Sequence, residues 1–267
     1  MGIVNMGSNK NSVPAADRLA KIRELLAQRP SVSISELAKL FKVTEMTIHR
    51  DLAKLEQVNQ IRKTHGGAVA AERMIFEFDF AARRQANLKA KQGIAREAVK
   101  LIQPGSRLIL DTGTTTLELA YLLKEFQNIT VITPSLAVAS VLQFSRGVQT
   151  ILLGGVICEG RPDLTGAITE TILDTLAADM AFQGADGIGE DGMLYNADTR
   201  IARVDQKIRQ RAKHSFILCD SSKIGKTALA GSGFVNEVDA LITDSKITKA
   251  QISAFKKIGT KVIICEI

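Results

Sequence analysis

The stretch that decides the fold runs from Val32 to Val69, VSISELAKLFKVTEMTIHRDLAKLEQVNQIRKTHGGAV. Leu37, Leu40 and Phe41 recur at helical spacing behind Ser33 and Ser35, either of which can cap a helix. Lys42 and Val43 make a turn, Thr44 caps the next helix, and Ile48, Leu52 and Leu55 supply its apolar stripe. Upstream, Leu19, Ile22, Leu25 and Leu26 read as a first helix, opened by Pro14 and closed before Pro30. Three short helices of this kind share one core. The third then projects Glu45, Met46, His49, Arg50 and Ala53 on its other sides, the geometry of a helix that enters a DNA major groove. The basic run QIRKTHGGAV, broken by Gly66 and Gly67, has the pattern of a β-hairpin wing whose tip needs positive φ. The same helices and hairpin also suit a protein-binding module whose basic residues are merely solvated.

Working outward, the chain has 267 residues, 45% hydrophobic and 24% charged, which excludes a disordered or collagen-like chain. With no Trp and 4% aromatics, stacking platforms for single-stranded nucleic acid are not expected. The formal net charge is +7, and residues 1–75 hold twelve Lys and Arg against seven acids, so the front part carries most of the excess. Phe41 is the only aromatic before Phe76, a composition shift at the same place. Three segments follow: a basic helical domain over 14–70, a linker over 71–90 with alternating Phe76, Phe78 and Phe80, and a larger domain over 91–267. Cys158, Cys219 and Cys265 are odd in number and widely spaced, so neither a disulfide framework nor a metal knuckle can be drawn. No apolar run approaches the roughly 18 residues of a membrane helix, and the start MGIVNMGSNKNSVP lacks a signal-peptide core. A cytoplasmic protein with no membrane partner and no metal is expected.

The larger domain alternates helical stretches with short apolar runs: RLILD, TVIT, TILLGG, AFQGAD, FILCD, ALITD and VIIC. That pattern predicts an α/β fold with an open, mostly parallel sheet covered on both faces, which binds ligands at the carboxyl ends of its strands. Asp111-Thr112-Gly113-Thr114-Thr115-Thr116 lies between a strand and a helix. Gly113 allows close approach, and free amides at the helix start favour a phosphate; an ordinary threonine-capped turn is the plainer reading. Asp111 would accept from a sugar hydroxyl. Gly154 and Gly155, Asp186, and Ser221 to Lys223 stand at three other strand ends. Hydroxyls, glycines, one cation and carboxylates in four converging loops suit a small phosphorylated polyol. Gly225-Lys226-Thr227 is no phosphate-binding P-loop, because Asp220 takes the first glycine's place, and Gly187, Gly189 and Gly192 enclose two acids where a pyrophosphate would lie. No cofactor is expected.

VSISELAKLFKVTEMTIHRDLAKLEQ with IRKTHGGA resembles the winged helix-turn-helix of DeoR-family bacterial transcriptional regulators. DTGTTT, TVITPSLAVA, LLGG, QGADGI and DSSK resemble that family's C-terminal sensor domain, which is similar in fold to ribose 5-phosphate isomerase and senses phosphorylated sugars. The resemblance places Thr44, Met46, Thr47, His49 and Arg50 on the recognition helix and Arg62, Lys63 and His65 on the wing. Arg50, Lys54, Arg62 and Lys63 would neutralise phosphates of a double-stranded operator. Asp111, Gly113, Thr114, Thr115, Thr116, Ser135, Gly154, Gly155, Asp186 and Lys223 would line an effector site. The implied function is a regulator, as a rule a repressor of carbohydrate genes, acting as a dimer or tetramer under control of a sugar phosphate. Four positions depart from the family: His49 replaces Arg, Asn59 Gly, Pro134 Asn and Ile201 Glu. An imidazole offers guanine a single hydrogen bond where Arg offers two, so His49 reads a base or simply touches a phosphate or water. Catalysis is not expected, since Gly187 follows Asp186 and no base stands near Arg200 to Arg203. The alternative is an isomerase-type enzyme carrying a helical module.

Overall fold

The structure is a computed structural model that describes residues 13–28, 31–57, 61–64, 66–70, 80 and 82–267. Asn59, His65, Phe76, Phe78 and the side chain of Arg62 lie outside the described residues. The chain divides into two compact units, residues 1–79 and 80–267.

In the first unit α1 (Ala15–Gln28), α2 (Ile34–Phe41) and α3 (Glu45–Gln57) surround one apolar core. With them go β1 (Val32–Ser33), β2 (Ile61–Thr64) and β3 (Gly67–Ala70), an antiparallel sheet in the order β1-β3-β2. Of the two candidate caps Ser33 serves, its hydroxyl accepting from the Glu36 N–H at 3.1 Å. Lys42 ends α2 in the left-handed region, and Thr44 Oγ1 accepts from the Thr47 N–H at 3.3 Å to start α3. Ile48, Leu52 and Leu55 are buried with Ile22, Leu26, Leu37 and Phe41. The same side of α3 also carries Asp51, whose carboxylate takes both Nε and an Nη of Arg18 from α1, at 2.7 and 3.2 Å. At Gly67 crowding, not a left-handed backbone, requires glycine: a Cβ there would strike the carbonyl oxygen of Val32 across the β1–β3 pairing.

In the second unit α4 (Leu88–Val99) leads into β4 (Arg107–Leu110), α5 (Thr114–Leu123), β5 (Ile129–Thr133), α6 (Leu136–Leu142) and β6 (Val148–Leu152). A short hairpin, β7 (Val156–Ile157) and β8 (Leu164–Thr165), precedes α7 (Ala167–Asp174) and β9 (Ala178–Gln183). After β10 (Gly187–Ile188) and β11 (Met193–Asn196) come α8 (Thr199–Gln210), β12 (Ala212–Leu218) and β13 (Ala230–Phe234). The chain ends with β14 (Ala240–Asp244), α9 (Lys249–Lys257) and β15 (Val262–Cys265). Seven strands form one parallel sheet in the order β15-β14-β12-β9-β4-β5-β6. β10, β11 and β13 make a separate antiparallel sheet that the strand pattern did not reveal. Residues 82–90, at the end of the stretch read as a linker, belong to this unit.

The sheet is buried on both faces, which is why its strands are apolar without alternation. Leu108 and Leu110 of β4 pack with Ile94, Leu119 and Val138 of the helices on one face, while Ile109 packs with Leu173, Val204 and Ile208 on the other. From β4 the chain works outward through β5 and β6; from β9 it works the opposite way through β12, β14 and β15. The reversal falls between β4 and β9, where loops from adjacent strands leave in opposite directions and a crevice opens.

Candidate functional sites

α3 presents a polar face because its apolar stripe is spent on the core. Met46 is 62% exposed, His49, Arg50 and Lys54 are exposed, and Thr47 is half-buried. The Thr44 hydroxyl is engaged with the Thr47 amide and lies 3.0 Å from its hydroxyl, so it holds the helix start in place. On the wing, Glu56 of α3 fastens Lys63 twice: it accepts the Lys63 backbone N–H at 3.1 Å and stands 3.6 Å from the ammonium. Lys63, expected to meet duplex phosphate, therefore has an intramolecular carboxylate to leave first.

In the second unit a polar pocket opens at the reversal point between β4 and β9. Asp111, Gly113, Thr114 and Thr115 from the loop after β4, Asp186 after β9 and Lys223 after β12 all line it. The loops are stitched together by backbone: the Asp111 N–H donates to the Phe182 carbonyl at 3.0 Å, and the Gly184 N–H donates to Asp111 Oδ2 at 3.1 Å. Four expected residues are not among the lining residues. Thr116 turns its hydroxyl back to the Gly113 carbonyl at 2.9 Å, and Ser135 caps α6 through the Val138 N–H at 3.3 Å. Gly154 accepts from the Thr169 hydroxyl at 2.7 Å, packing its loop onto α7. Gly155 lies beside it, following β6, which is separated from β4 by β5.

Their place is taken by Arg161 and Asp163, carried by the β7–β8 hairpin, together with Phe80, Arg83, Asn196 and Ile201. Sequence spacing marks none of the hairpin residues, since each of its strands is only two residues long. Ile201, where the family favours Glu, does line the pocket.

The electrostatics divide the carboxylates into two kinds. Asp186 accepts from Arg83 at 2.9 Å, from Arg161 at 3.3 Å and from the Ala197 N–H at 2.9 Å. Burial works to raise its pKa, but Arg161, the amide and Arg83 outweigh it and hold the group below the usual carboxylate range. Burial pushes Asp163 up to about 6, against the pull of Arg161 and Arg83. Asp111 is raised well above its ordinary value by burial and by the Asp205 carboxyl, and burial lifts Asp205 itself to about 7. Asn196 donates to Asp205 Oδ2 at 2.8 Å, whereas Asp111 Oδ1 and Asp205 Oδ1 are buried with no donor among the described residues. Burial and the like charge of Asp205 both favour the neutral form of Asp111.

A compact unit with an outward polar helix and a wing, joined in one chain to an open α/β unit with a hydrophilic pocket, has the architecture of a winged helix-turn-helix protein with a second, pocket-bearing domain. Comparison with known proteins gives the family. Residues 18–74 match the DeoR-like helix-turn-helix domain and residues 86–245 match the DeoR C terminal sensor domain. The chain is 32% identical to the uncharacterized HTH-type transcriptional regulator YulB of Bacillus subtilis (strain 168), over 92% of this chain and 95% of that one. It is also 32% identical to the glycerol-3-phosphate regulon repressor of Escherichia coli (strain K12), over 84% of this chain and 88% of that protein. Among solved structures, ribose 5-phosphate isomerase A from Methanocaldococcus jannaschii is similar at 23% identity and a TM-score of 0.39, over 52% of this chain and 55% of that one. The chain belongs to the DeoR family of DNA-binding transcriptional regulators, as its TIHRDL and HGGA segments led us to expect.

Proposed function

We propose that the protein is a repressor of carbohydrate genes, that its α3 and wing grip operator duplex in a homo-oligomer, and that a phosphorylated sugar in the second unit's pocket changes that grip. The carrying observation is the pocket itself: Lys223, Arg83 and Arg161 meet Asp163, Asp186 and Asn196 at one sheet reversal, a mixture fit for an anionic, polyhydroxylated ligand. The repressor named for the glycerol-3-phosphate regulon is a relative over 84% of this chain. Two half-sites on duplex DNA call for two copies of α3, hence the oligomer. Control requires the ligand to prefer one arrangement of the protein over another.

A non-enzymatic role is supported by Asp186, whose two oxygens are already taken by two guanidinium groups and an amide, leaving it poorly placed to accept a proton from carbon. The reading is tested by fluorescence anisotropy on an operator duplex selected from a random pool, with sugar phosphates added singly. Release or tightening by one of them is expected. Turnover of ribose 5-phosphate by the purified protein, abolished in Asp186→Asn, would instead favour the isomerase reading.

A further inference from the structure

The β7–β8 hairpin buries one strand and leaves the other bare. Leu164 and Thr165 of β8 are 5% and 1% exposed, whereas Val156 and Ile157 of β7 are 58% and 55% exposed. β7 pairs with β8 alone, Val156 opposite Thr165 and Ile157 opposite Leu164, so its outer edge carries no strand among the described residues. The apolar surface continues onto the first turn of α7, where Ile168 is 60% exposed. Two glycines keep the join flat: a Cβ on Gly154 would lie 3.4 Å from Ile168 Cγ2 and 3.3 Å from Ile172 Cδ1, and one on Gly166 would lie 3.9 Å from Val156 Cγ2.

An edge strand of exposed β-branched residues is a template for another strand, and soluble proteins ordinarily blunt such an edge with lysine, proline or a covering loop. Here nothing charged interrupts it: no charged residue stands between Arg146 and Glu159, nor between Asp163 and Glu170. A surface without cations does not recruit duplex phosphates. One without charge of either sign is complementary to a second uncharged, apolar surface. Val156, Ile157 and Ile168 together expose on the order of 300 Å², about two-thirds of the roughly 450 Å² of apolar area that one side of a standard-sized interface contributes. A second copy of the chain offers the matching surface. Antiparallel pairing of one β7 with another about a two-fold axis sets the same edge against itself, the isologous arrangement that closes a pair without leaving that edge free.

We propose that β7 and the start of α7 form the contact between two copies of this chain, with β7 paired antiparallel to its counterpart and Val156, Ile157 and Ile168 closed against the same three positions of the second copy. The inference rests on the reading that the protein acts as a homo-oligomer, and names the surface that joins the copies. Arg161 and Asp163 lie in the turn of the same hairpin and line the pocket, with Arg161 3.3 Å from Asp186. One hairpin thus serves the pocket with its turn and the second copy with its outer strand.

Sedimentation equilibrium of the full chain tests this. Wild type should sediment as two copies or a multiple of two. Ile157→Lys places an ammonium in each half of the contact and should raise the dissociation constant of the pair at least about tenfold. Leu229→Lys, at a side chain 78% exposed on the loop before β13, should leave it unchanged. A second variant decides the matter should Ile157→Lys fail to fold. Val156→Cys keeps a small apolar side chain, and because Cys158, Cys219 and Cys265 are buried, the new thiol is the accessible one. A short bis-maleimide should then join two Val156→Cys chains into one band on a denaturing gel. Wild type in pairs with Ile157→Lys pairing equally well, or Val156→Cys chains that stay single, overturns the surface and leaves the homo-oligomer reading standing. A wild-type chain that sediments as one copy overturns both.

Discussion

Asp51 sits one turn beyond Ile48 on the core side of α3, where an unpaired carboxylate would cost several kcal/mol. Arg18 meets it with two nitrogens, so the pair ties α1 to α3 in a fixed register. Arg18→Met should therefore destabilise the first unit by about 3–5 kcal/mol in chemical denaturation, and the double variant with Asp51→Leu should recover most of the loss. No pattern rule exposes this pair, because hydrophobic periodicity treats Asp51 as a surface residue and Arg18 as a solvated charge. Asp205 offers a pH prediction with a definite sign. Its folded pKa of about 7 lies above its unfolded value, so between roughly pH 4 and 7 the folded state binds the extra proton. The stability this proton contributes is present at the acid end and lost as pH rises through 7. Asp205→Asn should remove that loss, so the variant gains on wild type in melting temperature from pH 4 to pH 8; a constant difference across that range would contradict the buried pair.

At the scale of elements, α3 and the wing were legible in detail, since a stripe of Ile48, Leu52 and Leu55 leaves only one face for solvent. What spacing cannot show is that Glu56, on the flank of α3, clasps Lys63 of β2. Two substitutions on this element should pull in opposite directions. Arg50→Ala should weaken operator binding at least about tenfold and lower the slope of log affinity against log salt by about one. Glu56→Gln should strengthen binding to unrelated duplex, because Lys63 no longer exchanges a carboxylate for a phosphate. In the second unit the parallel strands were readable as apolar runs. The β7–β8 hairpin was not, since strands of two residues carry no periodicity, and with it went Arg161 and Asp163. The glycines at 154 and 155 resembled a ligand loop in composition, yet their loop follows an outer strand and packs on α7.

For the molecule as a whole, the family and its two-part order were carried by local motifs, whereas the make-up of the pocket depended on strand order. Knowing that β4 and β9 are neighbours is what joins Asp111, Asp186 and Lys223, and what separates Gly154 from them. The same order explains how Lys223, on the loop after β12, comes to line one pocket with Thr114 at the start of α5. Control of DNA binding from this pocket is the claim on which the functional account depends. It is tested most directly by measuring operator affinity of wild type and Lys223→Ala, by anisotropy, across a panel of sugar phosphates. Wild-type affinity should change by about tenfold or more with at least one of them, and Lys223→Ala should bind operator normally while ignoring all of them. A variant that responds as wild type does would contradict the account.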